Sequence, residues 1–299
     1  MQLNRVYFNV FQNKKLISPK SNIPCRIEFL SYTSSNFDHG NLFFETKFSL
    51  ENDFFRKYLP LEKDLKIKAF ERDFVLGNQL MMERMASMAR RFSEWTIAEH
   101  IIDSELEEGD IIIKDGSLQT SHPNENQYVK NVFKKAKEKG VIFTGLSKTS
   151  RHTTDTRIPI ISAIDKLSED FKIPYKEWCY FPVPINKKTT EHKALIMVVK
   201  LNRYADTPFR FEIFKDQADN MTKNEILDLV SIIADYSRDR SLPGYPYGLI
   251  DAHLWARVRN EEILGYQAML FSEITKLGMW KEINSHINTI STHDKLDEM

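Results

Sequence analysis

The amino-acid sequence predicts an α/β fold in which a mixed β-sheet is flanked by helices. Three observations predict it: β-like runs fill the first fifty residues, a strand–helix–strand pattern spans residues 111 to 144, and helical periodicity dominates after residue 224. The 299 residues are 41% hydrophobic and 28% charged, which is ordinary for a globular protein with a substantial core. Because no linker rich in Pro, Gly and Ser divides the chain, we expect one domain over residues 1–299, with a C-terminal helical extension at 263–299.

Composition also limits the class of protein. The longest apolar runs, such as Ala194 to Val199, are far shorter than the roughly 20 residues of a membrane span. The N-terminal residues alternate like a strand, instead of placing a basic stretch before an apolar run, which argues against a signal peptide. The two cysteines, Cys25 and Cys179, are far apart and favour neither a disulfide framework nor a zinc site. We therefore expect a cytoplasmic protein that does not bind a membrane.

The charge balance argues against a surface built to hold nucleic acid nonspecifically. Lys and Arg number 42 and Asp and Glu number 42, so the formal net charge is zero. A local basic groove is compatible with this balance, and two predicted helices carry basic clusters. The clusters are Arg84, Arg90 and Arg91 on one helix and Lys134, Lys135, Lys137 and Lys139 on the other. A solvated helix face is the commoner explanation of such a cluster, and a phosphate track is the alternative.

The N-terminal third predicts a small sheet followed by a long helix. The β-like runs Arg5 to Phe11, Cys25 to Tyr32 and Leu42 to Leu50 are separated by turn-forming residues, which is typical of an antiparallel meander. Residues 51 to 75 have no clear pattern. Apolar residues then recur at three- and four-residue steps, as on one face of a helix. They are Met81, Met85, Met88, Phe92, Trp95, Ile102 and Leu106.

The centre of the chain predicts neighbouring parallel strands. A buried strand at 111–114, a helix at 126–139 and a second strand at 141–144 form a strand–helix–strand unit. A hairpin follows, made by residues 194–201 and the alternating FRFEIF at 209–214. Helices are expected at the end of the chain, over residues 224–239, 249–262 and 267–287.

Asp115 is the sharpest candidate for chemistry. It follows a strand that we expect to be central, and Gly116 and Ser117 turn the chain directly after it. Ligands bind at the carboxyl ends of strands in open α/β sheets, and a glycine there permits close approach. The alternative is that Asp-Gly is simply a turn.

Glu94 is the second candidate, because the long helix places it beside the apolar stripe, on a face that it shares with Glu83 and Arg90. Mg²⁺ and Mn²⁺ need oxygen ligands that converge from separate segments. Asp115 with a helix glutamate meets part of that need. A solvent-facing ion pair with Arg90 or Arg91 is the alternative.

Three further residues can contribute. His253 follows a Pro- and Gly-rich turn, and it is either a metal ligand or a partly buried histidine with a structural hydrogen bond. Glu212, in FRFEIF, faces opposite to its aromatic neighbours, towards the cleft or towards water. Lys148 follows the strand that ends in GLSKTS, where a cation can contact a scissile phosphate.

The order of these segments resembles the NurA nuclease family. IIIKDGSLQT, VIFTGLSKTS, WCYFPVPI, KALIMVVKL with FRFEI, and GYPYGLIDAHLWARV follow one another across roughly residues 80 to 260. DGSL and the block from Tyr-Pro to Ala-His are the more specific parts. The resemblance implies an RNase H-like mixed sheet flanked by helices. It also implies a homodimeric nuclease that depends on Mn²⁺ (or Mg²⁺), degrades DNA ends and single strands, and works with the hexameric ATPase HerA.

The resemblance also assigns residues. By it, Asp115 is the family's second strand-end aspartate, and Glu94 is the helix glutamate, with Glu83 as the alternative. His253 matches the C-terminal histidine, and Tyr180 is taken as the family's tyrosine. Glu212 falls where relatives often carry aspartate. The implied metal ligands are therefore Asp115, Glu94, Glu212 and His253, and Tyr180 and Lys148 complete the implied active site.

One departure concerns the first metal-binding residue. The family usually opens with a strand that ends in another Asp-Gly motif, whereas MQLNRVYFNVFQNKK resembles the segment just after that strand. No Asp precedes Asp38, which lies in a predicted turn. We expect either that the true N-terminus lies upstream or that this carboxylate has been lost, and in both cases the metal site is incomplete.

Three functions remain open from the sequence. The leading one is a divalent-metal-dependent DNA nuclease, an exonuclease and single-strand endonuclease in DNA end processing and repair. The second is a catalytically incomplete subunit that binds DNA ends or the ATPase. The third is an unrelated α/β protein whose Asp-Gly-Ser turn is structural.

Overall fold

The computed structural model describes residues 2–50, 52–68, 75–76, 79–80, 82–150, 152–173, 176–184 and 194–279. The chain divides into two compact units, Met1–Ala256 and Arg257–Met299. The second unit therefore begins somewhat before residue 263, where the sequence led us to expect a helical extension. All the candidate residues lie in the first unit.

An antiparallel sheet opens the first unit, as predicted. Its order is β1-β4-β5-β6, and a separate hairpin, β2-β3, follows β1. In β4, Ile27 and Phe29 are buried while Glu28 between them is more exposed, which is the alternation of a strand with one face on the core. The strands are β1 (Gln2–Tyr7), β2 (Val10–Gln12), β3 (Lys15–Ile17), β4 (Arg26–Asp38), β5 (Asn41–Ser49) and β6 (Lys66–Lys68).

Short elements connect this sheet to the first long helix. Two 3₁₀ helices, Asp53–Tyr58 and Glu62–Leu65, lie between β5 and β6, in the stretch that had no clear pattern. The two-residue strands β7 (Val75–Leu76) and β8 (Gln79–Leu80) pair with each other.

Helix α1 (Met82–Ser104) carries the predicted apolar stripe. Met88, Phe92, Trp95 and Ile102 are fully buried, and the helix packs on β1, β4 and β5. One helix thus covers the N-terminal sheet with the face that the three- and four-residue spacing indicated.

The predicted strand–helix–strand unit is confirmed as β9 (Ile111–Asp115), α2 (Glu125–Lys139) and β10 (Ile142–Ser147). The two strands are parallel neighbours, with Asp115 opposite Leu146. Helix α2 ends at Gly140 in the left-handed conformation that glycine favours at a helix end.

A five-stranded sheet is built on this unit, in the order β11-β12-β13-β10-β9. The predicted hairpin is confirmed as the antiparallel pair β12 (Ala194–Lys200) and β13 (Phe209–Phe214). Two elements in this region were not predicted: helix α3 (Ile160–Asp170) and the short strand β11 (Trp178–Tyr180).

Strand β9 differs from its predicted central position. Among the described residues it pairs only with β10, so it lies at one edge of the sheet. Ile112 nevertheless packs against the core beside α1, and Ile111 and Ile113 pack against the core on the other face. A continuous apolar run indicates that both faces of a strand are buried. An edge strand can be buried on both faces, as a central strand can.

The unpaired side of β9 adjoins a cavity of about 540 Å³. Residues of β1, of α1 and of the C-terminal helix Tyr247–Ala256 also line it. The cavity extends along β9 as far as Asp115.

The boundaries of the C-terminal helices differ from those predicted from the sequence. The helices after β13 are α4 (Lys215–Ala218), α5 (Lys223–Asp235), α6 (Tyr247–Ala256) and α7 (Asn260–Lys276). The single helix expected over 249–262 is wrong, because the chain leaves helical geometry at residues 257–259. The expected end at residue 287 falls in a part of the chain that the structure does not describe. No helix of the described chain is long and apolar enough to cross a membrane.

Candidate functional site

Asp115 is the last residue of β9, and its side chain is exposed at the carboxyl end of that strand. The amide of Gly116 donates to the carbonyl oxygen of Leu146 at 2.8 Å, which fixes the start of the turn on β10. Gly116 has φ of +98° and open space where a side chain would stand. The turn therefore requires glycine for its conformation and leaves the approach to Asp115 free.

Tyr245 is the residue that the structure brings to Asp115. Its hydroxyl donates to Asp115 Oδ1 at 2.6 Å, and its ring is fully buried against Phe209, with centroids 5.3 Å apart. Burial, followed by the charge and hydrogen bond of Asp115, raises the pKa of Tyr245 far above its ordinary value. Tyr245 is thus held as a neutral hydrogen-bond donor to the carboxylate.

Tyr180, which the resemblance pointed to as the family's tyrosine, lies far from Asp115. Tyr180 is 40% exposed on β11, and β12, β13 and β10 lie between that strand and β9. With strands about 4.8 Å apart, four steps separate the two strands by roughly 19 Å. The signal for Tyr245 was present in GYPYG. Gly244 packs so tightly that an added Cβ would lie 2.8 Å from the Cβ of Ala205, and this close turn delivers Tyr245 into the core.

Lys148, the candidate for contact with a scissile phosphate, lies over the Tyr245 ring. Its ammonium nitrogen is 4.5 Å from the centroid of the Tyr245 ring. A cation over the face of an aromatic ring is stabilised by the ring quadrupole. Lys148 therefore places positive charge close to the Asp115–Tyr245 pair.

Glu94 is linked to the strand of Asp115 through a lysine. Its Oε2 accepts from Lys114 Nζ at 2.8 Å, and its Oε1 pairs with Arg90. Lys114 Nζ also donates to the backbone carbonyl oxygen of Asp115 at 3.2 Å. Burial alone would raise the pKa of Glu94, but the charges of Lys114 and Arg90 outweigh it and lower that pKa. The Glu94 carboxylate is charged, largely buried and already paired with two cations. The alternative of a solvent-facing ion pair is therefore correct only in naming Arg90 as a partner of Glu94.

Glu94 and Asp115 line the same cavity. The alternative helix residue, Glu83, has a side chain outside the described part of the structure, so the choice between the two glutamates stays a prediction.

His253 lies on α6 and lines this cavity too. Its side chain is exposed, so the expectation of a partly buried histidine is wrong. An exposed imidazole at the cavity wall is accessible to a ligand that enters the cavity.

Glu212 faces neither the cleft nor water, which were the two positions that the sequence left open. Its carboxylate is 0% exposed and does not line the cavity. It accepts from the amide of Leu118 at 2.6 Å and from Ser117 Oγ, and it pairs with Arg210. Strand alternation indicated which face carries Glu212, but it could not show that this face is covered by the turn that follows Asp115.

The described residues alone do not fit the metal ion that the sequence implied. No three His, Cys, Asp or Glu side chains of the described chain form a group that could hold one ion. Glu94 is occupied by cations, and Glu212 is directed into the protein. Asp115 is the carboxylate best placed for a metal, and a hard cation needs several more oxygen ligands.

The fold and the site define an α/β protein that carries a carboxylate at the end of a strand, where it lines a cavity. A tyrosine donates a hydrogen bond to this carboxylate, and lysines lie nearby. The family model described as the NurA domain matches residues 30–258, which is more than half of the chain. The chain therefore belongs to the NurA family, and membership supports a nuclease. Among solved structures, the NurA nuclease from Sulfolobus solfataricus is similar over 83% of this chain and 83% of its own, with 12% sequence identity and a TM-score of 0.46. No curated protein sequence matches the chain.

Proposed function

We propose that this protein is a divalent-metal-dependent deoxyribonuclease, acting as an exonuclease and as an endonuclease on single strands. The observation that carries the proposal is Asp115 at the carboxyl end of β9, with the Tyr245 hydroxyl 2.6 Å from its Oδ1, in a chain of the NurA family. We further propose that it acts in DNA end processing and repair, as a cytoplasmic homodimer together with a HerA-like hexameric ATPase.

The chemistry of the site supports hydrolysis of a phosphodiester. A bound Mn²⁺ or Mg²⁺ would supply an activated water and stabilise the phosphate oxygens. Tyr245 orients the Asp115 carboxylate by a hydrogen bond, and Lys148 adds positive charge over the Tyr245 ring. Lys114 holds Glu94 against the same strand end. The site thus has one carboxylate in a fixed orientation and a lysine nearby that suits a phosphate.

An RNase H-like fold is part of the proposal. It is supported by a mixed sheet in which β9 and β10 are parallel while β10, β13 and β12 are antiparallel neighbours. A long helix, α1, precedes the strand that ends in Asp115 and carries Glu94 beside it.

A second candidate is a catalytically incomplete subunit that binds DNA ends or the ATPase. The observation that favours it is the lack of a three-ligand group among the described residues. In this case the site around Asp115 would keep its shape without holding a metal.

Metal removal separates the two candidates. We expect end-labelled single- and double-stranded DNA to be shortened in Mn²⁺ by protein expressed from its full gene, and to stay intact when EDTA is added. Restoring Mn²⁺ in excess over EDTA should restore cleavage, which controls for damage to the protein. Intact DNA in both Mn²⁺ and Mg²⁺, with DNA binding retained in a mobility-shift assay, would favour the incomplete subunit and contradict the nuclease.

A further inference from the structure

The turn after Asp115 rests on a buried glutamate from another strand. On β10, Gly145 stands opposite Lys114 of β9 on one side and opposite Glu212 of β13 on the other. The Glu212 side chain contacts Ser117 and Leu118, beyond β10. The strand order β13, β10, β9 therefore places Gly145, which has no side chain, between the strand of Glu212 and the strand that leads into the turn.

Gly145 is required for this arrangement by space and not by backbone conformation. A Cβ at position 145 would lie 2.8 Å from the carbonyl oxygen of Gly116 and 3.0 Å from the Leu118 side chain. The turn thus lies directly on Gly145, and any side chain there would lift it.

Arg210 balances the charge of Glu212. It lies two residues earlier on β13, so both side chains are on the same face. The guanidinium pairs with the carboxylate, and also donates to Ser150 Oγ at 3.3 Å. The two side chains are 3% and 0% exposed.

Desolvation of both charges makes a buried ion pair costly, and hydrogen bonds from neighbouring groups offset part of that cost. Glu212 receives such hydrogen bonds from the turn, through the Leu118 amide at 2.6 Å and the Ser117 hydroxyl. The charge of Glu212 is therefore directed at the two residues that fix the path of the chain immediately after Asp115.

We propose that Glu212, balanced by Arg210 and passing over Gly145, is a positioning residue for Asp115 and not a metal ligand. Glu212 holds residues 116–118, and this turn keeps the Asp115 carboxylate at the Tyr245 hydroxyl. The effect on catalysis rests on the proposed nuclease function. The effect on the turn does not.

The test compares Glu212→Gln with Glu125→Gln. Glu125 is a matched control, because it is also 0% exposed, pairs with Arg91, and accepts from the amides of Ser121 and His122. Both substitutions weaken a buried ion pair and the hydrogen bonds to a turn, but Glu125 holds the start of α2 and not the turn after Asp115.

Amide hydrogen exchange gives a readout that does not need activity. We expect the Leu118 amide to exchange at least about tenfold faster in Glu212→Gln, because a neutral glutamine oxygen accepts more weakly than a carboxylate and no longer forms an ion pair with Arg210. The same amide should be unchanged in Glu125→Gln, since each weakened hydrogen bond is local. Gly145→Ala should give the same loss of protection at Leu118 without changing any charge. Unchanged protection at Leu118 in folded Glu212→Gln overturns the proposal. If the wild type proves inactive on DNA while Leu118 loses protection, the nuclease function fails and the positioning role stands.

Cleavage kinetics then distinguish positioning from metal binding. A positioning role predicts that kcat at saturating Mn²⁺ falls by about 10- to 100-fold in Glu212→Gln, because a small displacement of a reacting group costs that much. A ligand role predicts instead that raising the Mn²⁺ concentration restores the wild-type rate. Restoration by Mn²⁺ would overturn the proposal, as would an equal loss of kcat in Glu125→Gln.

Discussion

At the residue scale, a buried hydroxyl orients the Asp115 carboxylate. Tyr245 donates to Oδ1 at 2.6 Å from a ring that is packed against Phe209. Because the ring is buried and its pKa is raised, the phenol stays protonated throughout the physiological range. Tyr245 therefore stays the hydrogen-bond donor of this pair.

Tyr245→Phe removes this hydrogen bond and keeps the ring. We expect it to lower the free energy of unfolding by about 1 kcal/mol, the usual net value of one hydrogen bond. We also expect DNA cleavage to slow by roughly tenfold, because the carboxylate loses its fixed orientation. The matched control is Tyr180→Phe, which changes an exposed tyrosine on β11. Urea unfolding and cleavage rates measured on both variants decide between the two tyrosines, and a larger effect at Tyr180 would contradict the assignment.

What could be predicted at this scale followed from local pattern. Asp115 was predicted because a strand, a glycine and a turn are adjacent in sequence. Tyr245 was not, because its contact with Asp115 joins residues 130 positions apart and has no periodicity. Glu212 was placed on the correct strand, but alternation cannot distinguish a face that meets solvent from one that meets another segment.

At the element scale, one ion pair joins α1 to β9. Glu94 on the helix pairs with Lys114 on the strand at 2.8 Å, and both side chains are largely buried. A helix that covers one sheet is thereby attached to the strand that carries Asp115 in the other.

The apolar stripe of α1 and the apolar run of β9 were both predicted, because burial of one face or of both faces leaves a pattern in the sequence. The edge position of β9 was not, because strand order leaves no signature in a single strand.

This ion pair makes stability depend on pH. The pKa of Glu94 is lowered from its ordinary 4.5, so its contribution to stability is complete above that pH and is lost as the pH falls through the lowered value. We expect the wild type to have a higher free energy of unfolding than Glu94→Gln at pH 7. The difference between the two proteins should narrow below pH 4.5. Urea unfolding of both proteins between pH 7 and pH 3 measures this difference. A difference that is the same at every pH would contradict the pairing.

At the scale of the whole molecule, the proposed homodimer needs exposed apolar surface. The N-terminal sheet and hairpin, and the segment after them, show exposed apolar side chains in the first unit. The largest are Phe37, at 77% exposed, and Leu16 and Leu61, each at 57%. A contiguous apolar patch marks an interaction surface, and we propose that Phe37 belongs to the patch that forms the homodimer.

Light scattering tests the assembly. We expect a species of about twice the 35.1 kDa chain mass at micromolar concentration. Phe37→Asp should shift it towards the monomer, while Leu167→Asp, an exposed apolar residue of α3 away from this surface, should not. A wild type that is strictly monomeric would contradict the homodimer.

The overall order of elements was predictable, whereas their assembly was only partly so. The meander, the parallel pair β9–β10 and the hairpin β12–β13 each follow from short-range pattern. The break between α6 and α7 was missed, because residues 257–259 carry neither Gly nor Pro to mark it. The surroundings of Asp115 were predicted only in outline, since the residues that contact it come together through tertiary packing.

Asp115→Asn tests the assignment of the active site most directly. Asparagine keeps an acceptor oxygen for the Tyr245 hydroxyl, whereas alanine would leave that buried hydroxyl unpaired at a cost of roughly 1–3 kcal/mol. We expect Mn²⁺-supported cleavage of end-labelled DNA by protein from the full gene to fall by about 100-fold or more, with the urea midpoint unchanged. Asp110→Asn, at the opposite end of the same cavity, should retain the wild-type rate. An Asp115→Asn protein that cleaves DNA normally but unfolds more easily would show that Asp115 is only a turn residue.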